Sequence, residues 1–235
     1  MGLALFFLAF VLSLYLLIKV IVFVGRKNNV ADWGNPAINI LDGWVRLYCK
    51  KYHRQGNFVI ELPKDKKLIL AANHLSSVDP FLLVAATNRP IRFMIAKEEY
   101  DKPILNRLFK AGGCIPVDRG GRVEGAFRSA MRAIKAGELV AIFPQGGIHC
   151  EETPRPIIKP GIIKLSQLTG CSILPVRIKG ISAPGTMVKC LVKRGNVSFD
   201  VNSVLTSDQI KSEGFRAQMS DWLIEKIDKI DLDHS

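Results

Sequence analysis

The block Asn73-His74-Leu75-Ser76-Ser77-Val78-Asp79-Pro80 places a histidine and a carboxylate five residues apart, directly after the apolar run Leu68-Ile69-Leu70-Ala71-Ala72. An imidazole oriented by a carboxylate can take a proton from a hydroxyl near neutral pH. On a helix this spacing corresponds to ~500° of rotation and leaves the side chains on different faces, so the pair can meet only across a turn. Ser76-Ser77 favour one, and Asp79-Pro80 reads as an N-cap followed by proline at N1. The spacing therefore predicts a helix from Pro80, with His74 folded back toward its start. Taken alone, the pattern reads first as a capping aspartate and an ordinary loop histidine, because so short a pattern recurs by chance.

Three further groups could handle an anion. In Phe143-Pro144-Gln145-Gly146-Gly147, a glycine pair after an apolar run lets backbone N–H groups approach an oxyanion or a phosphate; an ordinary turn uses the same residues. Arg119, within Ile115-Pro116-Val117-Asp118-Arg119-Gly120-Gly121, stands at a strand-to-loop junction before a helix. Its guanidinium suits bidentate phosphate binding, or a surface ion pair with Asp118. Lys159-Pro160-Gly161 puts a cation at the start of a helical pattern, where the dipole favours an anion; the bland reading is a solvated charge at a turn.

The elements that must position these residues belong to a chain of 235 residues, long enough for one domain and an appendage. With 33 Lys+Arg against 21 Asp+Glu, the net charge of +12 suggests a polyanionic partner: nucleic acid, an anionic membrane surface or phosphate-bearing substrates. Five scattered cysteines without a CxxC pair fit reduced thiols in a cytosolic domain, and argue against a disulfide framework or a metal site. No RNP, helix-turn-helix or zinc motif supports nucleic-acid binding.

Residues 1–25 read as a transmembrane or membrane-embedded helix. Leu3 to Val24 is apolar apart from Ser13 and Lys19, and would reach ~33 Å. A cleaved signal peptide is disfavoured by the missing basic n-region and A-x-A site, and myristoylation by Phe6. Arg26 and Lys27 follow, and the positive-inside bias places the C-terminal domain on the cytoplasmic face. A helix lying in one leaflet is the alternative, extended by Trp33, Trp44 and Tyr48; a buried soluble helix is a third reading. Residues 26–57 form a basic amphipathic connector in which Ile38, Leu41, Val45 and Tyr48 recur at helical spacing.

From residue 58 to residue 235 the pattern is α/β. Strands are expected at Phe58–Leu62, Leu68–Ala72, Ile91–Ile95, Leu139–Phe143, Ile173–Ile178, Lys189–Lys193 and Val197–Val201. Helices are expected at Pro80–Ala86, Ile104–Ala111, Gly121–Ala136 and Ile162–Thr169, and from the capping box Thr206-x-x-Gln209 toward Ile230. In that last helix Ile210, Met219, Trp222, Leu223 and Ile227 form a core-facing stripe. The expectation is a central mixed sheet flanked by helices, with an N-terminal membrane-associated helix.

In order and spacing, four blocks resemble the glycerolipid acyltransferase family that includes bacterial 1-acylglycerol-3-phosphate acyltransferases. NHLSSVDP resembles its NHxxxxD block. The run from Ala96-Lys97-Glu98 to Val117-Asp118-Arg119 is similar to its second block, FPQGG to FPEGT, and Ile173-Leu174-Pro175-Val176 to its late proline block. The likeness covers about residues 58 to 200. It implies that His74 is the general base on an acceptor hydroxyl and that Asp79 orients and stabilises the imidazolium. It further implies that Gln145, Gly146 and Gly147 line the acceptor or oxyanion site, and that Arg119 and Lys159 hold the acceptor phosphate. The implied partners are a lysophospholipid acceptor, an acyl thioester donor (acyl-CoA or acyl carrier protein) and a membrane, with no nucleic acid, metal or further cofactor. The third block departs, with Gln145-Gly146-Gly147-Ile148 where the family has Glu-Gly-Thr followed by Arg. A differently charged or bulkier lysolipid, or a catalytically weak lipid-binding scaffold, are the alternatives that this departure admits.

Overall fold

The computed structural model describes residues 2–63, 67–121, 123–149, 158–212 and 214–224. Its strands are β1 (Leu68–Ala72), β2 (Ile91–Ala96), β3 (Ile115–Val117), β4 (Leu139–Ile142), β5 (Ser172–Lys179) and β6 (Ser198–Val201). Its helices are α1 (Gly2–Asn28), α2 (Pro36–Lys51), α3 (Asp79–Ala86), α4 (Lys97–Tyr100), α5 (Pro103–Ala111), α6 (Glu124–Lys135), α7 (Gly161–Thr169), α8 (Lys189–Val192) and α9 (Phe215–Leu223).

β1 is buried along its whole length. The two-residue period of a strand sorts its side chains: Leu68, Leu70 and Ala72 enter the core on one face, Ile69 and Ala71 the core on the other. A strand apolar on both faces belongs inside a sheet covered on both sides, and β1 lies there. The strand order is β3-β2-β4-β1-β5-β6. All pairings are parallel except β5 with β6, so the sheet is mixed, as expected. One core gathers Leu82 and Leu83 of α3 and Cys49 of α2. The opposite core gathers Ala126, Ala130 and Ile134 of α6, Ile162 and Leu165 of α7, and Phe215, Met219 and Trp222 of α9.

Two expected strands are something else. Phe58–Leu62 is irregular: Ile60 N donates to Ala86 O, and the Phe58 ring stacks on Phe199 at 5.2 Å. The segment crosses the end of α3 instead of lying beside a strand. Lys189–Lys193 lies in the connection that must reverse the chain between β5 and β6. There Thr186 Oγ1 accepts from Cys190 N, and the chain winds into α8. The capping box forms, with Thr206 N donating to Gln209 Oε1 at 2.9 Å. It caps a 3₁₀ turn, Gln209–Lys211, while α9 starts later, at Phe215. The expected extension of that helix toward Ile230 lies outside the described residues.

Val45 and Tyr48 of the apolar stripe pack half-buried against the core, but the most buried face of α2 lies beside that stripe. It carries Asp42, Gly43, Arg46 and Cys49, while Leu41 is exposed. The reason is that α2 is wedged between α1 and α3. A Cβ on Gly43 would collide with Gly25 O of α1, so glycine is what allows the crossing. Trp44 Nε1 donates to Ile21 O across the same contact. On the other side Arg46 pairs with Asp42 at 2.6 Å and donates to Ala85 O of α3. α1 itself is long and apolar enough to cross a membrane, and its most apolar stretch is unburied.

His53, just after α2, is fully buried. Its Nε2 lies 2.8 Å from Tyr48 Oη, and that hydroxyl donates to Leu191 O. The ring hydrogen therefore sits on Nε2, and Nδ1 has no hydrogen-bond partner among the described residues. Burial pushes the imidazole pKa below its ordinary 6.5. The unfolded chain then takes up the proton at higher pH than the folded one. Stability is complete above the unfolded value and declines as pH falls through the window beneath it. Thermal unfolding followed from about pH 7.5 down to about pH 5 should show this decline, and His53→Gln should remove its share of the slope.

Candidate active site

β1 and β4 are neighbouring parallel strands, so the segments that follow them emerge side by side at one edge of the sheet. In open α/β sheets that carboxyl edge is where ligands bind. Residues 73–78 leave β1 and residues 143–149 leave β4. Asn73 fixes the exit: its Nδ2 donates to Ile178 O at 2.9 Å, and its Oδ1 accepts from Ile178 N at 2.7 Å. β1 is thereby held to β5 at the point where the turn begins.

α3 starts at Asp79, one residue earlier than expected, and the Asp79 side chain does not cap it. The carboxylate turns back instead. Oδ2 accepts from His74 Nδ1 at 2.8 Å, Leu75 N at 2.6 Å and Ser76 N at 2.9 Å, and Oδ1 accepts from Ser76 Oγ at 2.9 Å. Asp79 has no exposed surface. The expected N-cap is thus a cap on the preceding turn, because three consecutive residues present their donors there.

The His74 backbone is equally committed. Its N–H donates to Gln145 Oε1 at 2.7 Å, and its carbonyl accepts from His149 N at 2.7 Å. Leu75 O accepts from Gly185 N at 2.7 Å. The imidazole stacks on Phe143, with centroids 4.1 Å apart and planes 15° from parallel. A carboxylate accepting at Nδ1 fixes the tautomer, so Nε2 carries the lone pair. Among the described residues Nε2 has no hydrogen-bond partner, and the side chain is 18% exposed.

Gln145 is buried and oriented in one sense only. Because a backbone N–H must meet the amide oxygen, the amide nitrogen faces the other way. Nε2 has no partner among the described residues. A buried donor left unpaired costs about 1–3 kcal/mol, which a ligand acceptor would offset. Gly146 adopts φ +79°, a conformation that favours glycine, and a Cβ there would collide with Lys159 Cε and Nζ. Gly147 faces open space. Lys159 N donates to Pro144 O at 2.8 Å, which holds this lysine against the second turn.

His74, Asp79, Gln145, Gly146 and Lys159 are therefore brought together, with Gly147 adjoining. Arg119 is set apart. It follows β3 at the sheet edge, three strand spacings or ~14 Å from β1. Its guanidinium is half-exposed and pairs at 3.7 Å with Glu98, not with Asp118. Burial pushes the Cys49 thiol up to about 12 and the Cys114 thiol up to about 11, which keeps both protonated and poor as nucleophiles.

Asn73, Ser76, Phe143 and His149 have supporting places that the pattern of residues did not assign. Asn73 carried a usable signal, a polar side chain at the end of a wholly apolar strand, which must find partners if buried. Ser76 was read as turn-forming, but its double donation to Asp79 depends on the exact fold of the turn. Phe143 and His149 contribute through three-dimensional proximity alone.

Residues 57–179 match the protein family described as Acyltransferase. The chain is 26% identical over 166 residues to 1-acyl-sn-glycerol-3-phosphate acyltransferase of Bacillus subtilis (strain 168), covering 70% of this chain and 75% of that protein. It is 24% identical over 179 residues to the protein of the same name from Borreliella burgdorferi, covering 73% and 70%. The solved structure of the 1-acyl-sn-glycerophosphate acyltransferase PlsC from Thermotoga maritima superposes with a TM-score of 0.57, at 19% identity, over 92% of this chain and 88% of that one. At that identity the last comparison speaks for the fold.

Truncating Asn73 should weaken the sheet edge on which the turn rests. Asn73→Ala leaves both backbone groups of Ile178 without their partner and should cost about 1–3 kcal/mol in denaturant unfolding.

Proposed function

The chain belongs to the glycerolipid acyltransferase family, and from that premise we propose that it moves a fatty acyl group from an acyl thioester to the free hydroxyl of a lysophospholipid. The donor is acyl-CoA or acyl carrier protein, and the acceptor proposed first is 1-acylglycerol-3-phosphate, the substrate class named by its Bacillus and Borreliella relatives. One observation carries this reading: His74 Nδ1 is held 2.8 Å from a fully buried carboxylate, while Nε2 is left available beside the second turn.

In the proposed reaction Nε2 takes the proton of the acceptor hydroxyl as its oxygen attacks the thioester carbonyl carbon. The carbonyl π electrons move to oxygen and give a tetrahedral oxyanion. That intermediate collapses with cleavage of the C–S bond, and the imidazolium returns its proton to the departing thiolate. Asp79 stabilises the imidazolium between these steps. The acceptor itself attacks, so no protein nucleophile is needed, and the reaction as written uses no metal or other cofactor. Gln145 Nε2 and the N–H of Gly147 are the donors proposed for the oxyanion or the acceptor, while the Gly146 N–H donates to Phe143 O and closes the turn.

Lys159, held against Gly146, is the cation best placed for the acceptor phosphate; Arg119 would have to leave Glu98 and reach in from the sheet edge. The apolar α1, with the basic Arg26 and Lys27 in its last turn, supports a membrane-bound enzyme with its catalytic domain on the cytoplasmic face.

In a purified thioester assay with lysophosphatidic acid in vesicles, His74→Ala should lower kcat by roughly a thousandfold or more with its unfolding curve unchanged. Near-normal turnover by that variant would sink the mechanism. Gln145→Ala removes both the acceptor that holds His74 N and the Nε2 donor, and should lower kcat/KM by about tenfold to a hundredfold. Lys159→Ala should raise the acceptor KM by about tenfold or more while leaving the donor KM in place, with Arg119→Ala smaller in the same sense.

A further inference from the structure

The connection between β5 and β6 carries an apolar tip that the core does not use. Met187, Val188 and Val192 are 49%, 67% and 70% exposed, within six residues of one another. Lys189, Lys193 and Arg194 are interleaved with them. Single exposed apolar residues need no explanation, but a cluster of this kind ringed by cations has the composition of a segment that lies in a membrane interface.

The tip is held firmly from beneath. Cys190 is buried in the core. Ser77 Oγ donates to Met187 O, and Gly185 N donates to Leu75 O, so the connection is fastened to the turn that carries His74. The hydroxyls of Tyr48 and Tyr52 donate to Leu191 O and Val192 O, and Arg194 Nε donates to Tyr52 O at 3.3 Å. These tyrosines belong to α2 and its end, and α2 crosses α1 at Gly43. The apolar helix α1, the exposed tip and the His74 turn are thus joined by one continuous set of contacts.

We propose that Met187, Val188 and Val192, flanked by Lys189 and Lys193, form a second membrane contact that enters the headgroup region of an anionic bilayer and sets the His74 turn at the surface where a lysolipid hydroxyl is presented. This rests on the reading of the chain as an enzyme acting on membrane lipid. A bilayer is favoured over a protein partner by the link to the unburied apolar helix α1 and by the match between the flanking cations and anionic headgroups.

The full chain, reconstituted in vesicles containing brominated phosphatidylglycerol, provides a test that does not depend on turnover. The fluorescence that Val188→Trp adds to the wild-type signal should be quenched, and Lys189→Glu/Lys193→Glu in that background should weaken the quenching. Absence of quenching at position 188, or quenching indifferent to the charge reversal, overturns the proposal even if acyl transfer is intact. In a second arm, Met187→Ser/Val188→Ser/Val192→Ser should lower turnover of vesicle-embedded lysophosphatidic acid by roughly tenfold. The same variant should leave turnover of a monomeric short-chain lysolipid and a short-chain acyl-CoA within about twofold. An equal loss on both substrates would place the residues in the fold or the site. A loss confined to a carrier-protein donor would place a protein on this surface. Either result overturns the proposal. Failure of the wild type to acylate any lysolipid, with quenching intact, would instead count against the proposed reaction and not against the membrane contact.

Discussion

Asp79 accepts four hydrogen bonds from three consecutive residues and has no exposed surface. A buried carboxylate is costly unless each of its lone pairs is met, and here residues 74–76 meet them with one ring N–H, two backbone N–H groups and a hydroxyl. The turn and the carboxylate therefore require each other. Without the turn the charge would be stranded; without the charge the donors would be. The tautomer of His74 follows from the same arrangement, because Nδ1 is one of the four donors and Nε2 is what remains. Bonds to a charged acceptor contribute about 1.5–3 kcal/mol each, enough to hold a loop of non-repetitive backbone in one shape.

Around this centre the backbone of the turn is occupied from outside as well. Gln145 meets the His74 N–H, His149 meets the His74 carbonyl and Gly185 meets the Leu75 carbonyl. These partners come from the segments after β4 and β5, the two strands that flank β1. The site is thus assembled by the sheet order itself, with the segment after β4 contributing two clamps and the segment after β5 one. A histidine fixed in this way has little to reorganise when substrate arrives, which is the condition under which oriented groups are most effective.

Much of this was legible in the residues. The wholly apolar run Leu68–Ala72 announced an interior strand, the serine pair announced a turn, and the five-residue spacing required that turn if His74 and Asp79 were to meet. What stayed hidden depended on contacts distant in sequence. Phe58–Leu62 has the composition of a strand, but its contacts are to the end of α3 and, through the Phe58 ring, to Phe199 of β6. Lys189–Lys193 has an apolar run between two lysines, yet it lies in a chain reversal and winds into a short helix. Val45 and Tyr48 of the α2 stripe do pack on the core, but the deepest burial there follows a helix crossing that needs glycine and an internal ion pair, which no apolar periodicity reports. The motif pattern puts Arg119 ahead of Lys159 as the phosphate cation. Strand order separates them, since β3 is an edge strand while Lys159 is bonded to the turn after β4.

α3 has a property that emerges from its two ends. Its first residue, Asp79, grips the turn before it, and near its last turn the carbonyl of Ala85 is gripped by Arg46 of α2. From Asp79 to Ala85 the helix runs ~9 Å. Such a strut tolerates exchange of side chains far better than a change in length. One inserted residue would advance one end by ~1.5 Å and rotate it by ~100° relative to the other, so the carboxylate and the carbonyl could not both keep their partners. The residue count of α3 is in this sense as much a determinant of the site as any side chain within it.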